Sequence, residues 1–238
     1  MTTVTTQNPV RSDLASTEAG RSDQTTSPSR LWAVAGIGAA LLGAGTIVTS
    51  SAVDIVYRDD YAGTTDGVAQ ALSDKSPVLF AFHSITTLSA LLMIVFAAGL
   101  FRRLRTALPD GIAPVVALVG LAGTAVVSLL GSGLDTEFMM PGPNNEPGYA
   151  DSSAAVYNHW IGTIPWLWTL AGMAGLAIFV AMRAHAVPRW IGIVGLVLGG
   201  LTVLLGVSPL EYMSGVTGVL WLLVTALGFT LGDKAQSR

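Results

Sequence analysis

The chain has 238 residues, 51 % of them hydrophobic and 11 % charged, with a mean hydropathy of +0.60, a formal net charge of −3 and no cysteine. Soluble domains average about 25 % charged residues, so this composition excludes a soluble enzyme, and the lack of a long basic tract excludes a nucleic-acid binder. Without cysteine there is neither a disulfide framework nor a thiolate ligand or nucleophile.

Residues 1–30 are rich in Thr and Ser with scattered charges and almost no large apolar side chain. Such a segment buries too little surface to offset its ordering entropy, which predicts a disordered cytoplasmic tail. It is also unlike a cleavable signal peptide, which would place an apolar region here.

Beyond it, windows free of Asp, Glu, Lys and Arg run over 31–53, 76–101, 111–134, 152–182, 190–210 and 212–232. A bilayer core needs about 20 apolar residues per spanning helix. Runs such as LLMIVFAAGLF do not alternate, which excludes barrel strands. The expected fold is all-α, a polytopic transmembrane bundle of six helices near 31–53, 78–101, 111–134, 159–182, 189–207 and 211–231. Together they form a transmembrane domain over 31–232, followed by a short cytoplasmic tail at 233–238.

Orientation follows from Lys and Arg, which favour cytoplasmic loops. Arg11, Arg21, Arg30, Arg102, Arg103, Arg105, Arg183, Arg189, Lys234 and Arg238 fall on one side, and Arg58 and Lys75 on the other. Both termini are therefore expected in the cytoplasm of a cell whose plasma membrane holds the protein. The outer loops, 54–77 and 135–158, are long and acidic, and the second carries the turn-rich stretch PGPNNEPGY. Long loops more often carry function.

Most glycines fall inside the spans. Gly120 and Gly123, Gly172 and Gly175, and Gly195 and Gly199 recur at spacings that let helix backbones approach closely. Trp160, Trp166 and Trp168 cluster in the outer half of the fourth helix, and Trp32 and Trp190 lie at inner ends. Both placements suit interfacial anchoring, whereas Trp221 is mid-helix and expected inside the bundle. Pro165 removes a backbone hydrogen bond and predicts a kink.

One constellation has chemical potential. His83 lies near the outer end of the second helix among Ser84, Thr86, Thr87 and Ser89, and shares a face with Thr87. Asp135 and Glu137 close the third helix at the same depth, His159 opens the fourth and Asp54 closes the first. Intramembrane ionisable groups usually face the bundle interior or a cavity. A His–carboxylate pair relays protons, binds a cation or serves acid–base catalysis, and two histidines with a carboxylate suit zinc. The candidate outer-face polar site is therefore His83, Thr87, Asp135, Glu137 and His159. No metal-ligand spacing such as HExxH is present, and no cofactor is expected. His185 lies in an inner turn beside Arg183. A rhomboid-type serine protease is excluded, because Gly131-Ser132-Gly133 is only a fragment of its motif and the last helix has no histidine.

The turn Val187-Pro188-Arg189-Trp190-Ile191-Gly192 opening the fifth helix, with the six-span layout over about 31–232, resembles the uncharacterised bacterial membrane proteins grouped as DUF4386-like. The resemblance implies the six-helix fold and no activity, and it transfers no catalytic residue. The Ala/Gly/Val-rich, cysteine-free composition resembles that of actinobacterial proteins. Two function classes stay open: a small permease-like or accessory (scaffold) membrane protein, or a membrane enzyme or proton/cation-handling protein using the outer-face site. The lipid bilayer is the expected partner. A second copy or a membrane partner subunit stays open, and the substrate is unknown.

Overall fold

The computed structural model describes residues 30–56, 58, 60, 64–140, 144 and 147–231. The two tails expected at 1–30 and 233–238 lie, but for Arg30, outside the described residues, as does most of the PGPNNEPGY stretch.

Helix α1 spans Leu31–Val53, α2 Thr65–Ser73, α3 Ser76–Ala107, α4 Ala113–Phe138, α5 Asp151–Thr163 and α6 Thr169–Arg183, with a 3₁₀ turn at Ile164–Trp166 between the last two. Helix α7 covers Arg189–Gly206 and α8 Met213–Leu231. Six segments are long and apolar enough to cross a membrane: α1, α3, α4, the α5–α6 unit Asp151–Arg183, α7 and α8. The protein is thus an all-helical, multi-pass, membrane-embedded bundle, as the charge-free windows require.

Helix α1 has the expected bounds and α7 and α8 differ from theirs by at most two residues, whereas α3, α4 and α5 run past the expected ends, because loss of hydropathy marks where lipid ends and the helix continues beyond it. Helix α3 carries Arg102, Arg103 and Arg105 as a further helical turn, then stops before Pro109. Helix α4 starts with Pro114 in its first turn and runs through Asp135 to Phe138. Helix α5 begins at Asp151 instead of 159, with its acidic residue in the first turn, where the helix dipole favours it. The short helix α2 has no counterpart among the expected spans. It buries Val68, Ala69 and Leu72 in a small second cluster with Tyr157 and Ile161 of α5.

The bundle has small residues inside and large ones outside. Its main core includes Ala33, Ala39, Ala40, Ala90, Ala97, Ala117, Ala171 and Ala174 around Phe96, Leu100, Trp221 and Phe229. Leu41, Val48, Leu88, Val119, Val126 and Leu204 are more than half exposed. Lipid tails are as apolar as leucine, so nothing drives leucine inward, and close packing of small faces holds the helices instead. The tightest seam lies between α6 and α7. A Cβ on Gly175 would stand 2.8 Å from Gly199 Cα and 3.0 Å from the Gly195 carbonyl. At this crossing α7 takes a π turn over Gly195–Gly199. On α4, Gly120 lies against the Leu170 carbonyl and Ala174 of α6, while Gly123 receives the Leu170 side chain and Gly172 faces the Gly199 carbonyl.

Pro165 breaks its helix outright: the backbone passes through the 3₁₀ turn and resumes the α-helix at Thr169. Trp168 is 3 % exposed and its indole N–H donates to the Pro165 carbonyl at 3.0 Å. It therefore stabilises the break from inside and is not the interfacial anchor expected. Trp32 packs on Phe96 and Phe229 at centroid distances of 5.6 and 5.5 Å, so it too faces the bundle, whereas Trp190 is 45 % exposed and Trp221 is fully buried.

The ends of the bundle separate charge. Arg30 donates to the Thr230 carbonyl at 2.7 Å and Arg103 to the Ala186 carbonyl at 3.1 Å. These bonds bring the start of α1, the end of α3, the α6–α7 turn and the end of α8 to one basic end. The acidic loop edges lie at the other.

Candidate polar site at the acidic end

At the acidic end, α3, α4 and α5 meet around Asp135. His83 and Thr87, one helical turn apart on α3, face Ser132 and Asp135 on α4. Thr87 Oγ1 is 2.8 Å from Ser132 Oγ. His83 Nδ1 lies 3.0 Å from the Ser132 carbonyl and 3.0 Å from Ser132 Oγ. It is also 3.5 Å from Asp135 Oδ2. Asp135 itself is wholly buried. The Tyr157 hydroxyl of α5 donates to Asp135 Oδ1 at 2.6 Å, while Oδ2 has no hydrogen-bond partner beyond the neighbouring imidazole.

Local packing explains the aim of Tyr157. Its ring stacks on Phe138 at 4.0 Å and 8°, and Phe138 sits one turn from Asp135 on α4. Phe138 in turn packs on Tyr149 at 4.7 Å. Burial pushes the Tyr149 phenol up to about 12. The next residue on α5, Asn158, is also fully buried. Its carbonyl oxygen accepts from the Ile55 and Val56 amides at 3.0 and 2.9 Å, and its amide donates to the Val53 carbonyl at 2.6 Å. Asn158 thereby caps the end of α1, and Ser50 adds a bond to the Ile161 carbonyl at 2.8 Å.

The five residues expected to share a site do not all meet. His83, Thr87 and Asp135 do. Glu137 is exposed two positions beyond Asp135 and lines a groove of about 310 Å³ with Leu134, Val156 and Trp160, whose wall also includes Phe138 and Tyr157. His159 is exposed on α5, and the carboxylate whose field it shares is Asp54. Two positions along a helix turn the side chain by about 200°, which separates Glu137 from Asp135 and His159 from Tyr157. Among the described residues no three His, Asp or Glu side chains come together as a metal site requires, so a zinc centre of two histidines and a carboxylate does not fit.

Asp54 stands apart in a cavity of about 230 Å³ with Ser50, Ser51, Gly162, Trp166, Tyr212 and Met213. Its Oδ1 is buried without a hydrogen-bond partner. Burial holds this carboxyl above the ordinary 3.8, opposed by the fields of His159 and then Arg58.

The presence of Ser132, His83 and Asp135 invites comparison with a nucleophilic triad, and the geometry rejects it. In a triad the imidazole uses one nitrogen for the serine and the other for the carboxylate. Here Ser132 Oγ and Asp135 Oδ2 face the same nitrogen, Nδ1. One nitrogen cannot both take the serine proton and donate to the carboxylate, so the relay of a triad is not assembled. Imidazole, carboxyl and phenol lie in one contact network around the buried Asp135, with the His83 side chain 29 % exposed. No family model matches the chain, and no curated protein or solved structure matches it either.

Proposed function

We propose that the protein is a non-enzymatic, permease-like or accessory membrane protein whose outer end holds a proton-binding site formed by His83, Asp135 and Tyr157. The observation that carries this reading is the burial of Asp135, 3.5 Å from His83 and 2.6 Å from the Tyr157 hydroxyl. A bare carboxylate at that depth is expensive, and so is an imidazolium without a counter-ion. One proton shared between His83 and Asp135 leaves either a neutral pair or an ion pair, both tolerable there. Removing it or adding a second leaves an unbalanced charge between α3, α4 and α5. The external pH thereby acts on the packing of three helices. Toward the basic end, α3 beyond Ser89 is a run of apolar residues, ALLMIVFAAGLF from Ala90 to Phe101. This supports a site that binds protons from one side and gives no support to a proton wire.

Basic residues at the opposite end favour placing both termini in the cytoplasm, with this site outward, in a bacterial plasma membrane. The likeness of the Val187–Gly192 turn to DUF4386-like proteins belongs to the same proposal.

The chain has no cysteine, so spin labels can be placed without background. Phe80 on α3 and Val156 on α5 are exposed (44 and 68 %) and accept labels after Phe80→Cys and Val156→Cys. The distance distribution in lipid nanodiscs should change with pH and become pH-invariant in Asp135→Asn. A distribution that responds identically to pH in both proteins would overturn the proposal.

A further inference from the structure

The α6–α7 turn at the basic end forms a cavity of about 400 Å³ lined by Met182, Arg183, His185, Val187 and Arg189. Among the described residues, every polar side chain in that lining is a cation or an imidazole. Two guanidinium groups offer the forked donors that match phosphate oxygens. Met182 and Val187 supply an apolar wall, and the neighbouring Trp190, 45 % exposed, is a side chain suited to the headgroup level of a bilayer.

The backbone fixes where His185 stands. His185 has φ 58°, in the left-handed region. Helix α6 ends there in a Schellman motif: the His185 amide donates to the Met182 carbonyl and the Ala186 amide to the Ala181 carbonyl, both at 2.9 Å. Glycine takes this position freely, whereas a side chain is strained in it. The turn is also clamped from below, because buried Arg103 donates to the Ala186 carbonyl. The Schellman end of α6 thus accounts for the left-handed backbone and holds the His185 side chain at the cationic cavity.

We infer that Arg183, His185 and Arg189 form a phosphate-binding pocket that takes the headgroup phosphate of an anionic phospholipid. Arg183 and Arg189 close on the phosphate oxygens from the two ends of the turn, His185 donates a further hydrogen bond, and the acyl chains continue along the exposed apolar face of α7. This inference is independent of the proton-binding reading, since its residues lie at the other end of the bundle.

The test is native mass spectrometry of the purified full chain titrated with phosphatidylglycerol, with phosphatidylcholine and, in a separate arm, with inorganic phosphate. Phosphatidylglycerol should be retained most strongly, and Arg183→Gln with Arg189→Gln should weaken its retention by about tenfold or more. His185→Gly separates a binding role from a structural one. It relieves the left-handed strain, so the melting temperature should rise while phosphatidylglycerol retention falls. Binding of inorganic phosphate at the same arginines would keep the phosphate chemistry and assign it to a free anion. Retention that is unchanged in these variants, or equal for the two lipids, would overturn the inference.

Discussion

The α6–α7 seam and the α3–α4–α5 joint hold helices together in different ways. At the seam, Gly175 and Gly199 bring two backbones so close that no side chain fits between them. At the joint, hydroxyl, imidazole, carboxyl and phenol groups link the helices with directed bonds. The seam depends on shape and is indifferent to pH. On the proposed function, the joint depends on where protons sit, and one bundle then contains a fixed half and a half that responds to its surroundings.

The largest expected effect is at the seam. Gly175→Leu places a side chain where Gly199 Cα, the Gly195 carbonyl and Trp221 Nε1 all lie within 3.0 Å of the new Cβ. Overpacking of this kind costs about 3 kcal/mol. Thermal unfolding in detergent should show a large fall in melting temperature with little dependence on pH. An unchanged melting temperature would show that the seam is not close-packed.

Asn158→Leu comes next. It leaves two amides and one carbonyl at the end of α1 without their partner, at a cost of about 2–3 kcal/mol. Hydrogen exchange should accelerate at Ile55 and Val56 before it does so within α1, and exchange that stays at wild-type rates there would contradict the capping role. Tyr157→Phe removes the one hydroxyl that donates to Asp135, a loss of about 1–2 kcal/mol. Unlike the seam variant, it should also change the pH dependence of unfolding. If its pH profile merely shifts down in parallel with the wild type, Tyr157 is a packing residue only.

The smallest effect concerns Asp54. Its folded carboxyl lies above the ordinary value of 3.8 because of burial, so the folded protein holds this proton more tightly than the unfolded chain does. The resulting stability is complete below pH 3.8 and is lost as pH rises through the folded value. Asp54→Asn should therefore melt slightly above the wild type at neutral pH, with the difference closing as pH falls toward 4. A variant less stable than wild type at neutral pH would mean that Asp54 gains more from His159 and Arg58 than it loses by burial.

Much of this architecture is legible in the residues, for a physical reason. Lipid forbids charge, so the charge-free windows mark the spans. Lipid says nothing about helix outside it, so the early start of α5, the basic last turn of α3 and the amphipathic α2 are not visible in hydropathy. The π turn in α7, which lies where Gly195 and Gly199 meet Gly175 of α6, is equally invisible. Within the site, His83, Thr87 and Asp135 can be matched by depth and face. Tyr157 and Asn158 cannot, because hydropathy starts their span at 159 and leaves them in what reads as a loop. Ser132 reads only as part of a protease-like fragment, when its role is to bond His83 and Thr87. Depth without azimuth also groups Glu137 and His159 with residues that the helical turn carries them away from.

The central claim is that His83 and Asp135 share one proton. Solid-state NMR of the protein in lipid bilayers, with ¹³C-labelled aspartate and ¹⁵N-labelled histidine, reads both partners in one pH titration. The account predicts that the Asp135 carboxyl and the His83 ring nitrogens change together, with common midpoints, and that His83 titrates differently in Asp135→Asn. Two independent titrations, with His83 unaltered by Asp135→Asn, would contradict it.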